Sequence, residues 1–179
     1  MIRIGILGNI GSGKSYVAKN FGYPVFNADY EVAKLYKKDK KIFKKLKKKL
    51  PKYISSFPIN KSEITKAILS NNVNLQKIIS IVHLEIRKIL KLFLKKNRNK
   101  KAIILDIPLL LENKINNRND ILIFVDSKKI EIEKRLKKRL NFNRKLINKF
   151  KKIQFSSSYK KKKSNFIIKN NFKKKSLNK

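Results

Sequence analysis

The octet Gly8-Asn9-Ile10-Gly11-Ser12-Gly13-Lys14-Ser15 constrains this chain more than any other stretch. It satisfies G-x-x-x-x-G-K-[S/T] and follows the apolar run Ile2 to Leu7, which reads as a short buried strand. Lys14 to Phe21 then reads as a helix, so the pattern sits in the strand, turn, helix context that it requires. Glycines let backbone N–H groups turn inward around phosphate oxygens, and the following helix adds its N-terminal dipole. In that arrangement Asn9, Ile10, Gly11, Ser12 and Gly13 supply the backbone cradle, Lys14 reaches the β and γ phosphates, and the Ser15 hydroxyl ligates Mg²⁺. A glycine-rich turn that binds nothing would not need the glycines, the Lys-Ser pair and both flanking elements together. The octet points to a nucleoside triphosphate and leaves the acceptor open.

Further along, short apolar runs alternate with stretches of helical spacing. Tyr23 to Asn27, Ala102 to Ile107, Asp120 to Val125 and Asn165 to Ile168 read as strands. Tyr30 to Leu50, Lys61 to Leu69, Leu75 to Lys96, Ile130 to Leu140 and Asn143 to Phe155 read as helices. The alternation predicts an α/β fold, a doubly wound parallel sheet with helices on both faces. With 179 residues the chain is expected to form a single domain, and the Lys/Asn-rich tail, 172–179, is expected to be disordered.

Composition narrows the chemistry by exclusion. Cysteine is absent and there is one His, which argues against a disulfide framework, a thiolate nucleophile and a structural zinc site. The most apolar run, Ala102 to Leu111, contains Asp106 and Pro108 and is too short to span a bilayer, so a soluble, cytoplasmic protein without membrane contact is expected. Against 11 Asp and Glu stand 48 Lys and Arg, a formal net charge of +37. Such a surface attracts polyanions. The lysines are nevertheless spread along the whole chain, as are Asn and Ile, which is the mark of compositional drift. Nucleic-acid binding is accordingly expected only as an incidental property. The lysine blocks 160–163 and 173–175 read as solvated.

Carboxylates are scarce, which makes their placement informative. The carboxyl ends of strands in a doubly wound sheet open onto the ligand crevice, so Asp29, just after Asn27-Ala28, and Asp106, ending Ile103-Ile104-Leu105, are candidates for it. Asp29 has two readings: a carboxylate that orients an attacking hydroxyl, or an N-cap for the helix from Tyr30. Asp106 has the form of an acidic strand end that helps to hold Mg²⁺ through water, or of a plain core strand end. Glu112 is open between a site residue and a solvent-exposed one.

Taken in order, these residues resemble the dephospho-CoA kinase family. Its glycine-rich opening stands here as Gly5 to Ser15, and its D-A-D as Asn27-Ala28-Asp29. Its H-P with a following basic residue stands as His83-Leu84 and Arg87, and its D-x-P-L-L-F-E as Asp106-Ile107-Pro108-Leu109-Leu110-Leu111-Glu112. Its R-x-x-x-R corresponds to Arg135 and Arg139, a later glutamine to Gln154, and its closing motif to Ser164 through Asn170. The resemblance implies a phosphate-loop, nucleotide-kinase-like fold with a helical acceptor-binding insertion at about 30–97 and a lid at about 135–150. It implies ATP and Mg²⁺ as cofactors, and transfer of the γ-phosphoryl group to the ribose 3′-hydroxyl of dephospho-CoA. Asp29 and Arg139 would join Lys14 as catalytic residues, with Asp29, His83, Arg87, Pro108 and Leu109 on the acceptor side. Arg135 reads as structural or solvated, and His83 stays open between contact and a satisfied half-buried histidine. The chain departs from the family at Asn27, Leu84 and Lys66, and its early end predicts a short or absent C-terminal helix. Two other functions remain as alternatives: a kinase for a different nucleotide or metabolite on the same fold, and a basic nucleic-acid-binding protein with a vestigial loop.

Overall fold

The computed structural model describes residues 1–140 and 142–173. They contain five strands and eight helices: β1 (Ile2–Gly8), α1 (Lys14–Asn20), β2 (Val25–Asn27), α2 (Ala28–Lys38), α3 (Lys40–Lys49), α4 (Lys61–Ser70), α5 (Asn72–Lys96), β3 (Ala102–Asp106), β4 (Ile121–Asp126), α6 (Lys129–Lys137), α7 (Arg144–Ile153), α8 (Ser157–Lys163) and β5 (Phe166–Lys169). All strands are parallel, in the order β2-β3-β1-β4-β5. β1 is central, and connections leave it and β4 in opposite directions across the sheet, which is where this architecture places ligands.

The apolar runs make strands because both faces of the sheet are covered. On one face Ile4, Ile6, Ile104, Ile123 and Val125 pack against Val17 and Ala18 of α1. On the other lie Leu105 and Phe124, both fully buried, and the Lys161 ammonium of α8 stands 5.6 Å from the Phe124 ring centre. Gly5 in β1 leaves no room for a side chain: a Cβ there would meet Leu110 Cδ2 at 2.5 Å and Leu122 Cδ2 at 2.8 Å. α1 has only seven residues, too few for a stable isolated helix, so burial of Val17 and Ala18 against the sheet holds it.

The chain divides into two compact units, Met1–Asn27 with the chain from Asn97 onward, and Ala28–Lys96. The first contains the whole sheet. The second is helical: α2, α3 and α4 each pack on α5, whose residues Ile78, Val82, Ile86 and Leu90 form a buried stripe. No helix among the described residues is long and apolar enough to cross a membrane.

Several expectations need correction. The single helix from Tyr30 to Leu50 is two helices. The chain leaves helical geometry at Asp39, whose carboxylate accepts the Ile42 N–H at 2.9 Å and caps α3. Asp29 is not an N-cap, because α2 begins at Ala28 and Asp29 lies in its first turn. The 160–163 block is not simply solvated: it belongs to α8, and Lys160 is 1% exposed. Within the tail, Phe172 is ordered, with its N–H donating to Asn170 Oδ1 at 3.0 Å. Positions 174–179, including two of the lysines in the 173–175 block, and position 141 within the expected lid lie outside the described residues.

Candidate active site

The phosphate loop is built by three glycines with positive φ: Gly8, Gly11 at 86° and Gly13 at 91°. Gly13 is the residue from which α1 starts, so the left-handed turn aims the first amides of that helix into the loop. The Ser12 N–H donates to Asn9 O at 3.1 Å and closes the turn. Lys14 follows immediately, and its ammonium bonds Gly8 O at 3.2 Å and Asn9 O at 2.9 Å, which places the positive charge over the loop itself. Ser15 is exposed in the first turn of α1.

The loop is gripped from three sides by residues distant in sequence. Ser127 Oγ and Asn170 Nδ2 both donate to Ser12 O at 2.9 Å, and Ser157 Oγ donates to Asn9 Oδ1 at 2.8 Å. Asn170 is buried and its own amide donates to Asp126 O at 2.7 Å, so the end of β5 is fastened to both β4 and the loop. The Phe172 ring lies near Gly13, and the Arg135 guanidinium stacks on it at 4.3 Å. Of the two readings of Arg135, this stacked contact gives the structural one a partner. Sequence reasoning had no signal for Ser127 or Ser157, since isolated serines after a strand or at a helix start are common.

Asp106 ends β3 beside the loop-bearing strand and is 3% exposed. Its Oδ2 accepts from Asn27 Nδ2 at 2.7 Å, across the register pair Asn27 and Asp106. A neutral amide here satisfies the buried carboxylate without the like-charge repulsion that an Asp at 27 would bring. The departure from the family's first Asp is thus accommodated locally. Ser15 and Asp106 are hard oxygen donors of the kind that suits Mg²⁺.

After β3 the chain turns through Pro108 and Leu109, both partly buried. Pro108 O accepts from Gln154 Nε2 at 3.1 Å. Glu112 is not a solvated residue: its Oε1 accepts the Phe155 N–H at 2.8 Å and pairs with Lys160 Nζ at 2.9 Å. Arg139 lies in the turn after α6, exposed, with its N–H on Leu136 O at 3.2 Å.

The remaining candidates lie in the helical unit. Asp29 is exposed in the first turn of α2, where a carboxylate favours the helix dipole. His83 and Arg87 are one turn apart on α5, and Leu84 between them is 55% exposed. Burial pushes the His83 imidazole below its ordinary value of 6.5, and the Arg87 charge adds to the effect. His83 is therefore neutral at pH 7, able to donate from one ring nitrogen and accept at the other.

Comparison with known proteins bears on the family and the fold. The family model described as dephospho-CoA kinase matches residues 2–176. A protein named dephospho-CoA kinase from Wolbachia pipientis wMel is 35% identical over 170 residues, covering 92% of this chain and 87% of its relative. Among solved structures, TT1252 from Thermus thermophilus superposes with a TM-score of 0.79 at 26% identity, covering 99% of this chain and 92% of that one. Dephospho-CoA kinase from Campylobacter jejuni shares the fold with a TM-score of 0.58 at 21% identity, over 96% of this chain and 89% of that one.

Proposed function

The chain belongs to the dephospho-CoA kinase family, and from that premise we infer that it transfers the γ-phosphoryl group of ATP to the ribose 3′-hydroxyl of dephospho-CoA. The products are coenzyme A and ADP. The observation that carries the reading is the phosphate loop, with Lys14 laid over it, in one unit with the intact Asp106-Ile107-Pro108-Leu109-Leu110-Leu111-Glu112 segment.

Phosphoryl transfer asks a protein mainly for alignment and charge neutralisation. The amides of Asn9 to Gly13 would hold the β and γ phosphates, with Lys14 neutralising the oxygens between them. Ser15 Oγ, with Asp106 through water, would hold Mg²⁺, which supplies further neutralisation of phosphate charge when bound. Asp29 would orient the acceptor hydroxyl and accept its proton as the new P–O bond forms. Arg139, carried on a lid at about 135–150, would balance charge on the transferred group. The acceptor-binding residues would be His83 and Arg87, in the insertion at about 30–97, together with Pro108 and Leu109. The same reading gives the protein small-molecule substrates and a cytoplasmic place of work.

A coupled ADP-release assay tests this directly, with dephospho-CoA, AMP and CMP offered separately as acceptors. Turnover with dephospho-CoA well above the other two is expected. Preference for a nucleoside monophosphate would replace the proposed acceptor, and ATP binding without any transfer would sink the kinase reading.

A further inference from the structure

The segment joining α7 to α8 touches both halves of the chemistry just described. Gln154 bonds Pro108 O, the Phe155 N–H bonds Glu112 Oε1, and Ser157 bonds Asn9 of the phosphate loop. A buried ion pair lies beside these contacts and shares Glu112 Oε1 with one of them. Lys160 Nζ lies 2.9 Å from Glu112 Oε1, and the two side chains are 2% and 7% exposed. Glu112 Oε2 is buried with no hydrogen-bond partner, so the pair is incompletely solvated by protein groups. Such a pair is a poor source of stability, because removing two charges from water costs about what their attraction returns. Something other than stability accounts better for its presence.

We propose that the Glu112–Lys160 ion pair is a positioning device for the transfer reaction. It clamps the 154–160 segment so that the phosphate loop and the Pro108 turn keep one fixed relation. Lys160 and Ser157 are three residues apart on α8, hence on one face of the same turn. Fixing the ammonium on Glu112 therefore fixes the hydroxyl that holds Asn9. Glu112 closes the β3 turn that starts at Pro108, so the same carboxylate ties the second loop. Neither residue is a catalytic residue; both act through Ser157, Asn9 and Pro108. The proposal rests on the kinase reading for its consequence and on the contacts alone for its mechanics.

The test uses three variants of the full chain, E112Q, K160M and E112Q/K160M. Each single change strands a buried charge or removes a partner, and both are expected to lower the melting temperature. The double variant removes both charges while keeping an acceptor for the Phe155 N–H, so it should recover most of that loss. A positioning role predicts that its kcat nonetheless stays at least tenfold down, with KM for ATP within about threefold of wild type, because misalignment of bound reactants costs rate rather than binding. Wild-type kcat together with wild-type melting temperature in the double variant would overturn the proposal. Hydrogen exchange by mass spectrometry on the same proteins needs no acceptor. Exchange of amides 9–12 should be at least tenfold faster in the double variant, and unchanged exchange there would break the link to the phosphate loop. Were dephospho-CoA not the acceptor, the wild-type assay would report it, while the exchange measurement would still decide the clamp.

Discussion

Gly13 shows how little freedom single positions in the loop retain. With φ at 91° it sits where a side chain is strained, and a Cβ would run into Asn170 Nδ2 and approach the Phe172 ring at 3.2 Å. Gly13→Ala should therefore cost about 1–3 kcal/mol in urea unfolding, since strained backbone of this kind costs that order. ATP affinity should fall with it, because Asn170 would have to release Ser12 O. Asp29 should respond in the opposite way. Asp29→Asn keeps size and hydrogen bonding but removes the proton acceptor, so kcat should drop by about 10²–10⁴ with little change in ATP affinity or stability. Near-normal turnover would take Asp29 out of its proposed role. Lys14 and the glycines were legible in the sequence because a phosphate cradle demands particular residue types at fixed spacing. Ser127, Ser157 and Asn170 were not legible as loop supports, because any hydroxyl or amide brought there by the fold would serve.

Elements follow local chemistry until tertiary contacts override it. α3 contains seven lysines in ten residues, yet it forms, with Ile42 and Leu46 fully buried and the Asp39 cap at its start. Asp39→Ala should lower stability by about 0.5–2 kcal/mol without lowering kcat for the folded protein, read by urea unfolding beside the ADP-release assay. α8 is the opposite case. A seven-residue helix with four consecutive lysines has unfavourable like-charge neighbours and too few turns to stand alone. The Ser156 cap and Asp126 stabilise it, Glu112 gives the buried Lys160 its counter-charge, and only folding brings those carboxylates to it. On α5, His83 has a lowered pKa, so the unfolded chain takes up its proton first as pH falls. The contribution of neutral His83 is fully present above the ordinary value of 6.5 and is lost as pH falls from there toward the folded value. The urea midpoint should drop between about pH 7.5 and about pH 5.5, and His83→Gln should flatten that part of the profile.

At the scale of the whole molecule, a formal net charge of +37 makes self-repulsion a general load on the folded state. Raising NaCl from about 50 mM to about 500 mM shortens the screening length severalfold, so the melting temperature should rise. A flat response in differential scanning calorimetry would show that the charge is locally compensated. The order of the five strands, the phosphate loop and the family motifs were determined by the sequence alone, because each rests on local periodicity or on residue types at short, fixed spacing, whereas the break at Asp39 and the helix α8 were not. Tertiary structure decided what depends on long-range meeting: the burial of Lys160 on Glu112, 48 positions apart in number, the neutral Asn27 partner for Asp106, and the three-sided grip on Ser12 and Asn9. A lysine reads as solvated in any window of sequence, since the carboxylate that makes its burial affordable arrives only when the chain folds.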